Sequence, residues 1–412
     1  MAAVDAIPLL AEVRERVAAH FRLHGGLGAI LIDLESLSRI ERSFGGTAYQ
    51  ALRAQIEASL LELSKQIRHD DLLARDGHQA ERFLMLLSEP RRGGQAFVPS
   101  DLRGLADRVE EFVAPRVARL TLPYLREKPA VGVGYGFVLH SPLESEERQV
   151  LRLIEEARAS AELRRQLTER TQREGLLEVI YNQRVWTVFQ PIFEIETLQV
   201  MGHEALSRGP RGTELESPAA IFGLAARQGL TDELERCCRR QALRDWEAFG
   251  SPGRLFLNTV RATIRDPGFL GRGVFDYLGP QLSPRLITLE ITEREVIENL
   301  ALYREAMHSF IELGFSFAID DVGKGYSGLE TIASLGVSFL KIDMGLVRDV
   351  DQKRVNQQVV KAIHEMGQGV GATVIAEGIE SREELQALKD LGVRYAQGYL
   401  FGRPLEPPPP PR

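Results

Sequence analysis

Between residues 187 and 400 one pattern recurs eight times: a short apolar run with a polar or charged residue in or near its last part, in most cases followed by a helical stretch. The runs span 187–192, 200–206, 255–258, 287–291, 315–320, 339–343, 373–377 and 395–400. Apolar runs of this length alternating with helices predict an α/β architecture, and eight of them predict a TIM-like (β/α)8 barrel. Only a few residues separate the first two runs, so they read as a direct hairpin. That makes one strand antiparallel and the barrel a variant.

The polar residues at the run ends share a phase. They are Gln190, Glu204, Asn258, Glu290, Asp320 with Asp321, Lys341, Glu377 and Gln397. Charged groups ending apolar strands are costly unless paired or metal-bound. A barrel brings its strand ends to one face, where active sites sit. A single Asp or Glu there would read as a cap for the following helix, but a phased set of this size does not. Such oxygen donors suit Mg²⁺ or Mn²⁺, and carboxylates crowded into one cleft repel each other unless cations offset them. Two metals about 3.5–4 Å apart activate water and stabilise the leaving oxygen of a phosphodiester. A lysine at the rim can hydrogen-bond the attacking water or offset transition-state charge. The residues alone therefore reach a metal-dependent phosphoester hydrolase on a barrel, and they do not name its substrate.

The rest of the chain sets bounds. A length of 412 residues predicts two or three domains. A formal charge of −7 argues against a nucleic-acid polymer as partner, while leaving room for a small anion held by metals. No apolar run reaches the ~18–20 residues of a membrane span. The sequence Met1-Ala2-Ala3-Val4-Asp5 has neither a basic n-region nor an apolar core, so no signal peptide is expected. The only cysteines are the adjacent Cys237 and Cys238, which predicts a reduced, cytoplasmic chain and excludes a zinc cluster. In the first half, 8–20 reads as an amphipathic helix within an N-terminal segment 1–27. Strands are predicted at 29–33, 83–87 and 130–136, helices through about 66, and a Gly/Arg-rich loop at 90–99. Residues 145–175 form a long Glu/Arg/Ala/Leu helix, read either as a solvated linker or as a helix coupling two domains or two chains. The tail 406–412 is Pro-rich and predicted disordered.

Residues 176–405 resemble the EAL domain of bacterial cyclic di-GMP phosphodiesterases. The resemblance is carried by Phe189-Gln190-Pro191-Ile192, Glu204-Ala205-Leu206-Ser207-Arg208, Asn258, Leu289-Glu290-Ile291-Thr292-Glu293, Asp320-Asp321-Val322-Gly323-Lys324-Gly325-Tyr326-Ser327, Lys341-Ile342-Asp343, Ala376-Glu377-Gly378-Ile379-Glu380 and 397–404. It implies that Glu204, Asn258, Glu290 and Asp320 ligate a first Mg²⁺ or Mn²⁺. Asp320 would bridge to a second, bound also by Asp321, with Glu377 acting near it through water. Lys341 would polarise the nucleophilic water and Gln397 help hold it. Gln190, Arg208 and Pro404 would contact cyclic di-GMP, Glu293 would brace the loop after Asp321, and Glu380 would support the site. The implied product is linear pGpG. The family loop usually has Phe, a small residue and Ser where this chain has Val322, Lys324 and Gly328, which points to low or partner-dependent turnover. The alternative is a non-catalytic cyclic di-GMP receptor acting through protein contacts.

Residues 28–160 resemble a degenerate GGDEF domain, the fold of diguanylate cyclases. The match runs through Ile32-Asp33-Leu34-Glu35, Phe44-Gly45 and Asp71-Leu72-Leu73-Ala74-Arg75. The signature region is altered to Gly77-His78-Gln79-Ala80-Glu81-Arg82-Phe83, and Glu41-Arg42 replaces the family's Asn-Asp pair. The resemblance implies a regulatory domain without cyclase activity, with GTP as a candidate ligand and homodimerisation or another protein as candidate contacts. Asp33 and Glu35 read as strand-end polar residues rather than metal ligands. Arg68 and Asp71 fit the family's Arg-x-x-Asp inhibitory-site pattern.

Overall fold

The apolar run Gly-Leu-Gly-Ala-Ile-Leu-Ile-Asp forms β1 (Gly26–Asp33), buried on both faces because helices cover both sides of its sheet. The structure is a computed structural model that describes residues 7–34, 37–64, 71–76, 81–87, 99–125, 129, 131–250, 252–259, 278, 282–298, 300–323 and 335–407. The chain divides into two units, Met1–Gln172 and Arg173–Arg412.

In the first unit α1 (Arg14–His24) precedes β1. Then come α2 (Ser38–Phe44), α3 (Gly46–Ser64), β2 (Leu72–Arg75), β3 (Arg82–Leu87), α4 (Pro99–Thr121) and β4 (Gly132–Leu139). The sheet order is β2-β3-β1-β4, antiparallel throughout. From β1 onward this is the βαββαβ arrangement of ferredoxin-like folds. One face carries Ile30, Ile32, Phe83 and Met85 against Leu52 and Ile56 of α3 and Leu102 and Val109 of α4. The other face packs on α1 and on α5 (Glu146–Tyr181), through Val17, Phe21, Leu153 and Ala157. Gly134 and Gly136 of β4 explain themselves here. A Cβ on Gly134 would lie 2.1 Å from the Ala157 carbonyl oxygen, and one on Gly136 2.8 Å from that of Leu153. The glycines let the α5 backbone approach the sheet directly.

Several sequence expectations shift. The first helix begins at Arg14, not at 8, because Pro8–Leu10 lies along β2 instead. Arg75 N donates to Pro8 O at 2.8 Å and Leu10 N to Arg75 O at 2.9 Å. The strand expected at 29–33 starts at Gly26, the one expected at 130–136 runs Gly132–Leu139, and β2 was not anticipated as a strand. The long helix extends six residues beyond 175, to Tyr181, since Leu176 and Val179 are buried in the second unit. The division between units falls within this helix.

The second unit is a closed barrel of β5 (Trp186–Glu194), β6 (Val200–Arg208), β7 (Arg254–Asn258), β8 (Ile287–Thr292), β9 (Ser316–Val322), β10 (Phe339–Ile342), β11 (Thr373–Ala376) and β12 (Tyr395–Ala396). β5 runs antiparallel to both neighbours, β6 and β12, and every other pair is parallel. The helices that alternate with these strands include α6 (Pro218–Gln228) and α7 (Thr231–Ala248). Among the described residues no helix is long and apolar enough to cross a membrane.

Candidate active site

Strand side chains repeat with period two, and that period builds the mouth of the barrel. Phe256, Ala318, Phe339 and Ile375 form one buried apolar cluster with Ile192. Two residues further along the parallel strands stand Asn258, Asp320, Lys341 and Glu377. A polar layer thus lies on an apolar floor, as barrel layering requires. Below the floor, Arg254 Nη1 donates to Thr288 Oγ1 and Ser316 Oγ at 3.1 and 3.0 Å.

Lys341 is fully buried at the centre of the polar layer. Its Nζ lies 2.7 Å from Glu290 Oε1, 2.7 Å from Glu377 Oε1, 3.1 Å from Glu204 Oε2 and 3.6 Å from Asp320 Oδ1. Gln397 Nε2 donates to Glu204 Oε2 at 2.5 Å and to Glu377 Oε1 at 3.3 Å, and Asn258 Nδ2 donates to Glu204 Oε1 at 3.1 Å. Seven side chains singled out from the sequence therefore form one connected network. Gln190 sits opposite Glu204 in the β5–β6 register, on the same side of the pair.

The aspartate pair has a local cause. Leu340 pairs with Ile319 but Ile342 pairs with Val322, so Lys341 faces two residues, Asp320 and Asp321. This bulge re-aims the strand end, as bulges beside active sites do. Asp321 adopts φ 59°, and its N–H donates to Asp320 Oδ1 at 2.9 Å. Glu293 Oε2 accepts from Gly323 N at 3.2 Å, which ties down the chain just past the bulge. The loop residues from Lys324 onward, including Gly328, lie outside the described residues.

The other expected residues lie apart from the lysine. Arg208 ends β6, donates to the Ser207 carbonyl at 2.9 Å, and has its pKa lowered by burial. Pro404 is half-buried beside Leu405, which bridges to Phe189. Glu380 is half exposed and pairs with Arg348 at 2.6 Å rather than with a residue of the polar layer. In the first unit, Asp71 precedes β2 and is half-buried, whereas Arg68 and Glu35 lie outside the described residues.

Electrostatics follow from one cation facing a surplus of anions. Burial acts to lower the Lys341 pKa, but the charges of Asp320, Glu204, Glu290 and Glu377 outweigh it and hold the ammonium well above the ordinary value. Burial, then the charge of Glu204, pushes Glu290 well up. Burial lifts Glu377 to about 8 and also raises Asp320. Glu204 alone is shifted down: burial opposes it, but the Lys341 charge and the bonds from Gln397, Lys341 and Asn258 prevail.

These residues fit divalent cations by chemistry. The donors are hard oxygens, negative charge exceeds what Lys341 supplies, and Glu290 Oε2 is buried without a hydrogen-bond partner among the described residues. As placed, the carboxylates turn toward Lys341, and no three His, Cys, Asp or Glu among the described residues are grouped to hold a metal.

Sequence reasoning missed two supports. Thr259 donates through N and Oγ1 to the Glu290 carbonyl at 2.9 and 2.7 Å, anchoring β8 at the mouth. Buried Glu384 accepts from Asp349 N, Glu380 N and Ser381 N, tying the segment after β10 to the one after β11. The Ser381-x-x-Glu384 capping box was a readable signal for the second.

A family model described as the EAL domain matches residues 169–404. The Bacillus subtilis signaling protein YkoW is 30% identical over 240 residues, 56% of this chain and 30% of its own length. The Pseudomonas aeruginosa cyclic di-GMP phosphodiesterase NbdA is 29% identical over 239 residues, again 56% of this chain and 30% of its own length. Among solved structures, the PaMucR phosphodiesterase in complex with c-di-GMP aligns with a TM-score of 0.51 and 25% identity, covering 56% of this chain and 98% of that one. The chain thus spans about 30% of the length of these two curated relatives. The family match takes in more than half of the sequence, and the chain belongs to the EAL domain family.

Proposed function

We propose that the barrel hydrolyses cyclic di-GMP to linear pGpG with two divalent cations, Mg²⁺ or Mn²⁺. The observation that carries this reading is the buried Lys341 within 2.7–3.6 Å of four carboxylates in or just past four different strands, at the mouth of the barrel. In hydrolysis the water oxygen bonds to phosphorus, the P–O3′ bond breaks, and the 3′ oxygen takes up a proton. Glu204, Asn258, Glu290, Asp320 and Asp321 would hold the metals, which when bound would lower the pKa of water and offset phosphodiester charge. Lys341, kept charged by its neighbours, donates to the attacking water or to a phosphoryl oxygen. Gln397 orients Glu204 and Glu377, and Gln190, Arg208 and Pro404 form the substrate-facing wall. The first unit acts as a degenerate GGDEF domain without cyclase activity that modulates the rate, with GTP as candidate effector and a homodimer as candidate assembly. Both cysteines are free and buried, in keeping with a cytoplasmic setting.

The test is turnover of cyclic di-GMP with Mg²⁺ or Mn²⁺. Glu204→Ala should lower the rate by about 10³-fold or more, as losing an essential ligand of a metal-activated hydrolysis does. Intact substrate after prolonged incubation of the unaltered protein with either metal would defeat the reading. A second reading, a non-catalytic cyclic di-GMP receptor, draws on the carboxylates turning toward Lys341 rather than toward a shared metal point. It requires binding that a chelator leaves unchanged and that never leads to turnover.

A further inference from the structure

The long helix α5 is anchored on either side of a bare middle. Ala157 and Ala161 are buried in the first unit, Leu176 and Val179 in the second. Every residue from 162 to 175 is exposed or half-buried. Yet the helix shows large apolar side chains to solvent: Leu163 is 58% exposed, Leu167 56%, Leu177 41% and Tyr181 86%. Arg170 and Glu174 are exposed as well. Positions 163, 167, 170, 174, 177 and 181 follow one another at alternating steps of four and three, the spacing of a coiled-coil seam. At about 100° per residue they form one stripe, on the side of the helix away from Ala161, Leu176 and Val179. The stripe is also palindromic. Its order is Leu, Leu, Arg, Glu, Leu, Tyr, and its centre falls at residue 172.

We propose that two copies of this chain associate through this face of α5 as an antiparallel two-fold pair. Turned about residue 172, Leu163 meets the partner's Tyr181, Leu167 meets the partner's Leu177, and Arg170 meets the partner's Glu174. Each contact is made twice, as an isologous interface requires. The two central Arg–Glu pairs fix direction and register, and the apolar layers on either side of them supply the attraction. A parallel pair would set arginine on arginine and glutamate on glutamate, which like-charge repulsion opposes. Residues 163–181 give the seam a length of about 27 Å. This surface rests on the homodimer proposed above, to which it gives a place and a direction, and it is independent of hydrolysis in the barrel.

Analytical ultracentrifugation of the full chain over a concentration series tests it, together with cysteine cross-linking. The unaltered chain should show a monomer–dimer equilibrium. Arg170→Glu or Glu174→Arg alone should weaken the dimer by about tenfold or more, because two attractive contacts turn repulsive. An equimolar mixture of those two variants should recover it. Each variant helix keeps its own like charges at 170 and 174 in that mixture, so recovery reports contact between copies and not helix stability. Under mild oxidation, Leu167→Cys chains mixed with Leu177→Cys chains should give a disulfide-linked pair that neither gives alone, the native Cys237 and Cys238 being buried. A dimer indifferent to the single charge reversals, a mixture that fails to recover, or Leu167→Cys chains that link to each other would overturn this surface and leave a homodimer standing. A monomer at every concentration would overturn both, and would mean that the stripe has another occupant or none.

Discussion

Two polar regions of this chain solve the same electrostatic problem in opposite ways. In the first unit Asp33 is directly opposite Arg82 in the β1–β3 register. Its counter-charge is supplied by the neighbouring strand and is complete once the sheet forms. In the barrel mouth, four carboxylates (Glu204, Glu290, Asp320 and Glu377) share one ammonium, that of Lys341. Burial and mutual repulsion then hold Glu290, Asp320 and Glu377 toward their protonated forms. A self-neutralised carboxylate is a structural element. A surplus of buried carboxylates is a demand for cations from outside the chain.

The sharpest way to break this comparison is to remove the shared cation. Lys341→Met keeps the length of the side chain and deletes its charge. Losing one partner of a fully buried ionic cluster costs about 3–5 kcal/mol. We expect that loss in urea unfolding with chelator present, and a larger stabilisation by Mg²⁺ or Mn²⁺ than the unaltered protein shows. A variant as stable as the parent would mean that the carboxylates are protonated and need no cation. The matching change in the first unit is Arg82→Ala, which takes the guanidinium away from partly buried Asp33 at a cost of about 1–3 kcal/mol. Here divalent metal should restore little, because Asp33 is lined by Arg39, Arg42 and Arg158 rather than by further carboxylates of its own strand ends. Strong metal rescue of Arg82→Ala would place the two regions in one class.

The two regions also differ in how far they could be read in advance. The barrel was legible because its signal is periodic. Each apolar run had to bury a strand, and the polar residue near its end stayed in phase with its neighbours from Gln190 to Gln397. The bulge at Asp320-Asp321 was not legible, since a register shift depends on which strand lies alongside. Thr259 was missed for the same reason: its partner is the Glu290 carbonyl, a backbone group that no side-chain pattern announces. In the first unit, β2 is a four-residue strand, completed at its outer side by the segment around Pro8–Leu10. Neither piece has enough alternation to stand out by itself. Arg82 read from the sequence only as part of an altered signature region. Only the register with Asp33 shows that the same residue supplies a replacement charge.

The smallest expected effect separates the mouth of the barrel from its wall. His203 neighbours Glu204 in β6 but points outward, with its ring 5.3 Å from Trp246 and 5.6 Å from Phe249. Burial lowers its pKa, and its Nδ1 has no hydrogen-bond partner among the described residues. The folded state therefore resists protonating a ring that the unfolded chain protonates below about pH 6.5. The unfolded state binds more protons as the pH falls through that value, so stability is full above it and declines below it, until the folded ring also titrates. In urea midpoints measured from about pH 7.5 to about pH 5, His203→Gln should remove this declining contribution, leave the opposite one of Glu290, Asp320 and Glu377 in place, and keep turnover intact. If the slope is unchanged in His203→Gln, the buried ring is not its source, and neither are Glu290, Asp320 and Glu377, whose raised pKa values favour the folded state as the pH falls.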